Sequence, residues 1–192
     1  MTTVYDLRPA TRLLGELVGG VGDDQLDAPT PCPDYTLGDL LDHVHGLSLA
    51  FTWAATKDAH IAESAAPTAD AGRLGADWRT RIPAQLAALG EAWQRRDAWE
   101  GMTRAGGVDL PGEVAGRVAL NEVVVHGWDL ARASGRPYEP DAQTVELCLE
   151  FAKTFPPEGT AAFGPRVSVP REAAPLDHLI GLTGRRPWWT AG

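Results

Sequence analysis

The sequence is short of several things that would each have pointed to a class of protein. Cysteine occurs only as Cys32 and Cys148, far apart and in no CxxC pair. That argues against a zinc–thiolate site, and the expectation is two reduced, structural thiols in a cytoplasmic protein. Positive charge is scarce, with 17 basic residues against 26 acidic and a formal net charge of -9. Such a chain repels phosphate backbones and anionic lipid surfaces, so neither nucleic acid nor a membrane is an expected partner. No apolar run approaches the roughly 20 residues that span a bilayer. The N-terminus has no basic start followed by an apolar block, so no signal peptide is expected. Strand-like runs such as Arg166-Val167-Ser168-Val169 are few and short. Nothing follows the order of a Ser–His–Asp triad, and the glycine-rich pieces (Gly19-Gly20-Val21-Gly22, Ala105-Gly106-Gly107) lack the strand-then-helix setting of a nucleotide loop, so they read as turns.

What is present is an ordinary globular composition: 192 residues, 44% hydrophobic and 22% charged, with seven tryptophans to fill a core or wall a groove. Apolar residues at helical spacing predict a first helix over residues 4–18, stopped by Gly19-Gly20. Pro29, Pro31 and Pro33 keep the next stretch irregular. Thr36, with Asp39 three residues later, makes a capping-box pair for a second helix running to about Thr56. A third helix is predicted over 71–95, kinked or broken at Pro83, then an irregular glycine-rich stretch over 97–112. A fourth helix spans 113–134, with Gly135 as its left-handed stop, and a fifth spans 141–154. The rest holds a short helix near 176–182 and ends at Trp188-Trp189. The expected fold is therefore mostly α: a four-helix bundle over 1–155 with an irregular C-terminal tail, 156–192, packed on it.

The fourth helix carries the most informative pattern. Ala115, Ala119, Glu122, His126, Asp129 and Ala133 follow alternating steps of four and three, the seam a helix turns toward its partners. Acidic and imidazole groups thus occupy the centre of an inward face. Burying an unpaired carboxylate costs several kcal/mol, roughly, even after relaxation, so a compensating cation is required. Glu122 and His126 project from adjacent turns toward one point, the spacing by which a helix gives two ligands to one metal. A metal-free ion pair, or an arginine opposite Glu122, would also satisfy the pattern. Five histidines are available for a third ligand. His43 lies nearer the apolar face of the second helix, His45 farther round toward solvent, and His60 and His178 read as surface residues. Trp53 and Trp128 read as core or as groove wall.

Two motifs resemble a known family. Pro31-Cys32-Pro33-Asp34-Tyr35-Thr36 through Leu40-Leu41-Asp42-His43-Val44 is similar to the entry to the second helix of the mycothiol-dependent maleylpyruvate isomerase-like metal-binding proteins, in the DinB-like superfamily. The stretch from Asn121-Glu122 through His126 and Asp129-Leu130 to Gly135 resembles that family's E-x-x-x-H-x-x-D-L helix. The tail, through Gly184-Arg185-Arg186-Pro187-Trp188, resembles a subgroup known only as metal-binding. The resemblance implies His43, Glu122 and His126 as the metal ligands and Asp129 as a group that orients a ligand or pairs with an arginine. Tyr35 stands where the family has tryptophan. The isomerases carry a further C-terminal domain where this chain has a short tail, so the resemblance carries the metal site further than the isomerase activity.

Two imidazoles and a carboxylate suit Zn²⁺ first, with Ni²⁺ or Fe²⁺ as alternatives, and leave a coordination position open. The resemblance implies that this position takes a low-molecular-weight thiol such as mycothiol for transfer to, or isomerisation of, a small electrophile. The alternative is a non-catalytic metal-binding or protein-interaction bundle. Either is expected in the cytoplasm, as a monomer or homodimer.

Overall fold

Proline, glycine and capping side chains decide where the helices begin and end in the computed structural model, which describes residues 4–60, 68–160 and 163–191. Helix α1 is Arg8–Gly19, shorter at its start than the predicted 4–18. The Asp6 carboxylate accepts the Arg8 N–H at 2.9 Å, and Pro9 sits in the first turn, where its missing donor costs nothing. Helix α2 is Leu37–Thr56. It opens on the expected box: Thr36 Oγ1 accepts from the Asp39 N–H, and the Asp39 carboxylate accepts from the Thr36 N–H.

The helix predicted over 71–95 is corrected. Helix α3 is Trp78–Ala92, preceded by a separate 3₁₀ turn, Ala71–Arg73. Side chains of α2 cause the break. Asp42 and Asp39 accept the backbone N–H groups of Asp70 and Ala71, and Asp70 accepts that of Gly72, so these donors are held by carboxylates. Pro83 neither ends nor splits α3, and its ring lies against Gly15 of α1.

Strands β1 (Met102–Ala105) and β2 (Val108–Pro111) form an antiparallel hairpin, with Gly106 and Gly107 both at positive φ, as a tight two-residue turn requires. Helix α4 is Gly112–Ser134, ended by Gly135 at φ 69°, and α5 is Ala142–Ala152, capped by Asp141. Helix α6, Pro175–Leu182, packs on α5. The run 166–169 stays out of any ladder, its Val167 N–H donating to the Gly181 carbonyl at 2.8 Å.

Around the bundle the helices follow the order α1, α3, α2, α4, so α2 and α4 are neighbours although α3 separates them in sequence. The predicted seam of α4 is buried throughout, but so is the whole middle of that helix: every residue from 119 to 131 is buried. Helix α5 and the hairpin also pack against it, and Arg132 donates to the carbonyls of Pro187 and Trp189 in the tail. At its N-terminal end, Trp93 and Trp99 meet edge to face at 5.0 Å. A Cβ at Gly116 would lie 2.5 Å from the Trp99 ring, so only glycine admits the indole there. Among the described residues, no helix is long and apolar enough to cross a membrane.

Candidate metal centre

The adjacency of α2 and α4 brings the three predicted ligands together. Glu122 and His126, one turn apart on α4, are both buried, with Glu122 Oε2 3.0 Å from His126 Nε2. His43 comes across from α2, its ring 4.9 Å from that of His126 and nearly perpendicular to it. One nitrogen or carboxylate oxygen from each of the three lies within 4.8 Å of the others. Zinc bonds of about 2.0–2.2 Å to such donors put the group within small side-chain adjustments of holding one ion.

The other histidines lie elsewhere. His45 does not turn to solvent as predicted. It is half-buried against α3, its Nδ1–H donating to Gln85 Oε1 at 2.7 Å and its Nε2 accepting from Arg81. A helical wheel for α2 cannot show where α3 lies, and α3 occupies that side. His60 is exposed, paired with Asp58 and stacked on Trp53. His178 sits half-buried on α6, its ring near the Arg171 carbonyl.

Asp129 contacts both an imidazole and an arginine. Its Oδ2 accepts the His126 Nδ1–H at 3.0 Å, and its two oxygens together accept the Nε and Nη2 donors of Arg185. Asp129 is fully enclosed and Arg185 is buried. No periodic pattern in the sequence marks Arg185. The available signal was general: a carboxylate at the centre of an inward seam needs a cation, and the tail supplies arginines.

Charge accounting calls for one more positive charge here. Glu122 and Asp129 carry two negative charges and Arg185 one positive, which leaves one negative charge buried beside two imidazoles. Without an ion, a proton fills that role. Burial pushes the His126 pKa down, but hydrogen bonds to Asp129 and Glu122, and their charge, outweigh it and raise the value above 6.5. Burial likewise pushes Asp129 up, yet the Arg185 charge and the His126 hydrogen bond hold it below the ordinary carboxylate range. An ion held by His126 Nε2 would displace the proton, and two imidazoles with a carboxylate are a donor set that fits zinc.

This arrangement has a measurable sign. A raised folded-state pKa for His126 gives stability that is complete below the unfolded value of 6.5 and is lost as pH rises through the folded value. With chelator present, the advantage of wild type over His126→Gln in urea unfolding is expected to shrink as pH rises above 6.5. A difference flat in pH would show that His126 is not held as imidazolium.

The cluster borders a cavity of about 320 Å³, walled on its apolar side by Leu47, Phe51, Leu110 and Val118. Arg185, Tyr35 and Cys32 also face it, whereas Trp53 and Trp128 do not line it. Burial pushes the Cys32 thiol up to about 11, so it stays protonated near neutral pH. Both cysteines are free thiols.

Comparison with known proteins gives a consistent picture. Two uncharacterized proteins of Mycobacterium tuberculosis, from strains CDC 1551 / Oshkosh and ATCC 25618 / H37Rv, are each 31% identical over 180 residues, covering 88% of this chain and 90% of the relative. No solved structure gives a significant match. Residues 7–131, from the start of α1 almost to the end of α4, match the family described as mycothiol maleylpyruvate isomerase N-terminal domain, of the DinB-like superfamily. The chain belongs to that family.

Proposed function

We propose that the protein holds one divalent ion, Zn²⁺ in the first instance, on His43, Glu122 and His126, and uses it to bind a low-molecular-weight thiol of the mycothiol type for reaction with a small electrophile. The observation that carries this reading is the placement of three convergent donors at the edge of an apolar-walled cavity of about 320 Å³. A bound divalent ion would supply Lewis acidity, keeping a thiol as thiolate near neutral pH.

The chain's own residues set the rest. Glu122 lowers the net charge of the centre to a level that one more anion neutralises. The charges are plus two for the ion, minus two for Glu122 and Asp129, and plus one for Arg185, which leaves plus one for a thiolate. Burial disfavours the Cys32 thiolate, which supports a sulfur that arrives with the ligand. Leu47, Phe51 and Leu110 make the space beside it apolar, which favours an uncharged carbon skeleton there. In the addition, the incoming thiol loses its proton to solvent. The sulfur lone pair forms the C–S bond, and the displaced π electrons of the electrophile take up a proton.

The test is spectroscopic. Protein loaded with Co²⁺ and titrated with mycothiol, or with N-acetylcysteine as a smaller probe, is expected to develop a thiolate-to-cobalt charge-transfer band in the near ultraviolet. Retained cobalt with no spectral change at millimolar thiol would overturn the thiol reading and leave a metal-binding bundle.

A further inference from the structure

The C-terminal segment, although outside the matched family region, reaches the centre of the site. We infer that Arg185 is a positioning residue for the metal centre, acting through Asp129 on His126. The inference rests on the metal reading above and concerns a residue outside its three ligands.

Three observations carry it. First, the chain Arg185–Asp129–His126 is continuous and buried: Nη2 to Oδ2 at 3.0 Å, Nε to Oδ1 at 3.3 Å, and Oδ2 to His126 Nδ1 at 3.0 Å. Second, the guanidinium is itself held. Its Nη1 donates to the Thr183 carbonyl at 2.9 Å, and its backbone N–H donates to the Ile180 carbonyl at the end of α6. Gly184 makes the turn at φ 83°, packed so closely on Gly164 that a Cβ would lie 2.8 Å from its backbone. Third, Asp129 has no exposure and no other charged partner among the described residues.

The physical consequence follows from geometry. A carboxylate accepts hydrogen bonds and donates none, so Asp129 requires the proton on His126 Nδ1. That leaves Nε2, which faces Glu122, as the donor atom for an ion. Arg185 grips both Asp129 oxygens and so fixes the plane of the carboxylate and the direction of its lone pair toward His126. Residues outside the ligand set that orient a ligating imidazole are typically worth about 10–100-fold in metal affinity. The short fork of the guanidinium supplies orientation that an ammonium would not.

The experiment measures zinc affinity by chelator competition and the visible spectrum of the Co²⁺-loaded protein, on the full chain. Arg185→Met is expected to weaken zinc binding by about 10–100-fold and to alter the cobalt spectrum, with Arg185→Lys recovering part of the loss. Asp129→Asn is expected to lose a similar amount. The double variant should be no worse than the poorer single one, because both changes break one chain. Arg132→Met, which removes a different anchor of the tail, is the control and is expected to leave both readouts unchanged. If Arg185→Met does not fold, Arg185→Lys and Asp129→Asn decide the matter. Wild type that binds zinc alongside Arg185 and Asp129 variants with unchanged affinity and spectra overturns this inference alone. Wild type that binds no zinc overturns the metal reading and this inference with it.

Discussion

Glu122→Gln and His126→Ala are expected to be purified with essentially no metal, where wild type carries about one ion per chain. Each substitution removes one of the three convergent donors, and two remaining donors hold a divalent ion poorly. Glu122→Gln is the sharper of the two because it keeps the volume and removes only the charge. Stability should follow the metal. An ion at about 1,000 times its dissociation constant adds about 4 kcal/mol to the folded state, and neither variant should gain it. Elemental analysis of untagged protein, with urea unfolding in the presence and absence of zinc, measures both effects. Metal content and zinc stabilisation equal to wild type in both variants would end the proposal.

Trp99→Ala should be the most destabilising single truncation away from the site, at about 3–5 kcal/mol. The Trp99 side chain is almost wholly enclosed, meets Tyr5 at 5.4 Å and Trp93 at 5.0 Å, and donates its indole N–H to the Trp93 carbonyl at 2.8 Å. Gly116 offers no side chain to fill the space left behind, so the cavity would persist. Trp188, 58% exposed, is the matched control, and its replacement by alanine should stay within about 0.5 kcal/mol of wild type. Urea denaturation of the two variants under zinc decides it. A Trp99→Ala loss below about 1 kcal/mol would mean the packing at the head of α4 is not what holds that end closed.

Local signals were the legible ones. The box at Thr36 and Asp39 marks the start of α2, and Gly135 marks the end of α4, because each acts within a few residues of itself. The heptad seam identified Glu122, His126 and Asp129 as inward-facing, and all three are buried. The failures share a cause: in each, a distant element supplied the deciding contact. Residues 70–72 form a turn because carboxylates of α2 take their N–H groups, and His45 is half-buried because α3 lies beside it. Arg185 meets Asp129 across 56 residues, from a tail with no periodicity to announce it. The four-and-three spacing also understated how enclosed α4 is, since its outer side is covered by elements with weak patterns of their own.

That enclosure bears on kinetics. Amides of residues 119–131 should be among the slowest in the molecule to exchange with deuterium, opening only when the whole domain opens. Glu122 and His126 therefore ride on the least yielding segment, while His43, only half-buried, comes from α2. Tyr35 and Gly106 of the hairpin turn line the cavity beside them, so the residence time of an ion or small molecule should depend on movement of these linings and not on any breathing of α4.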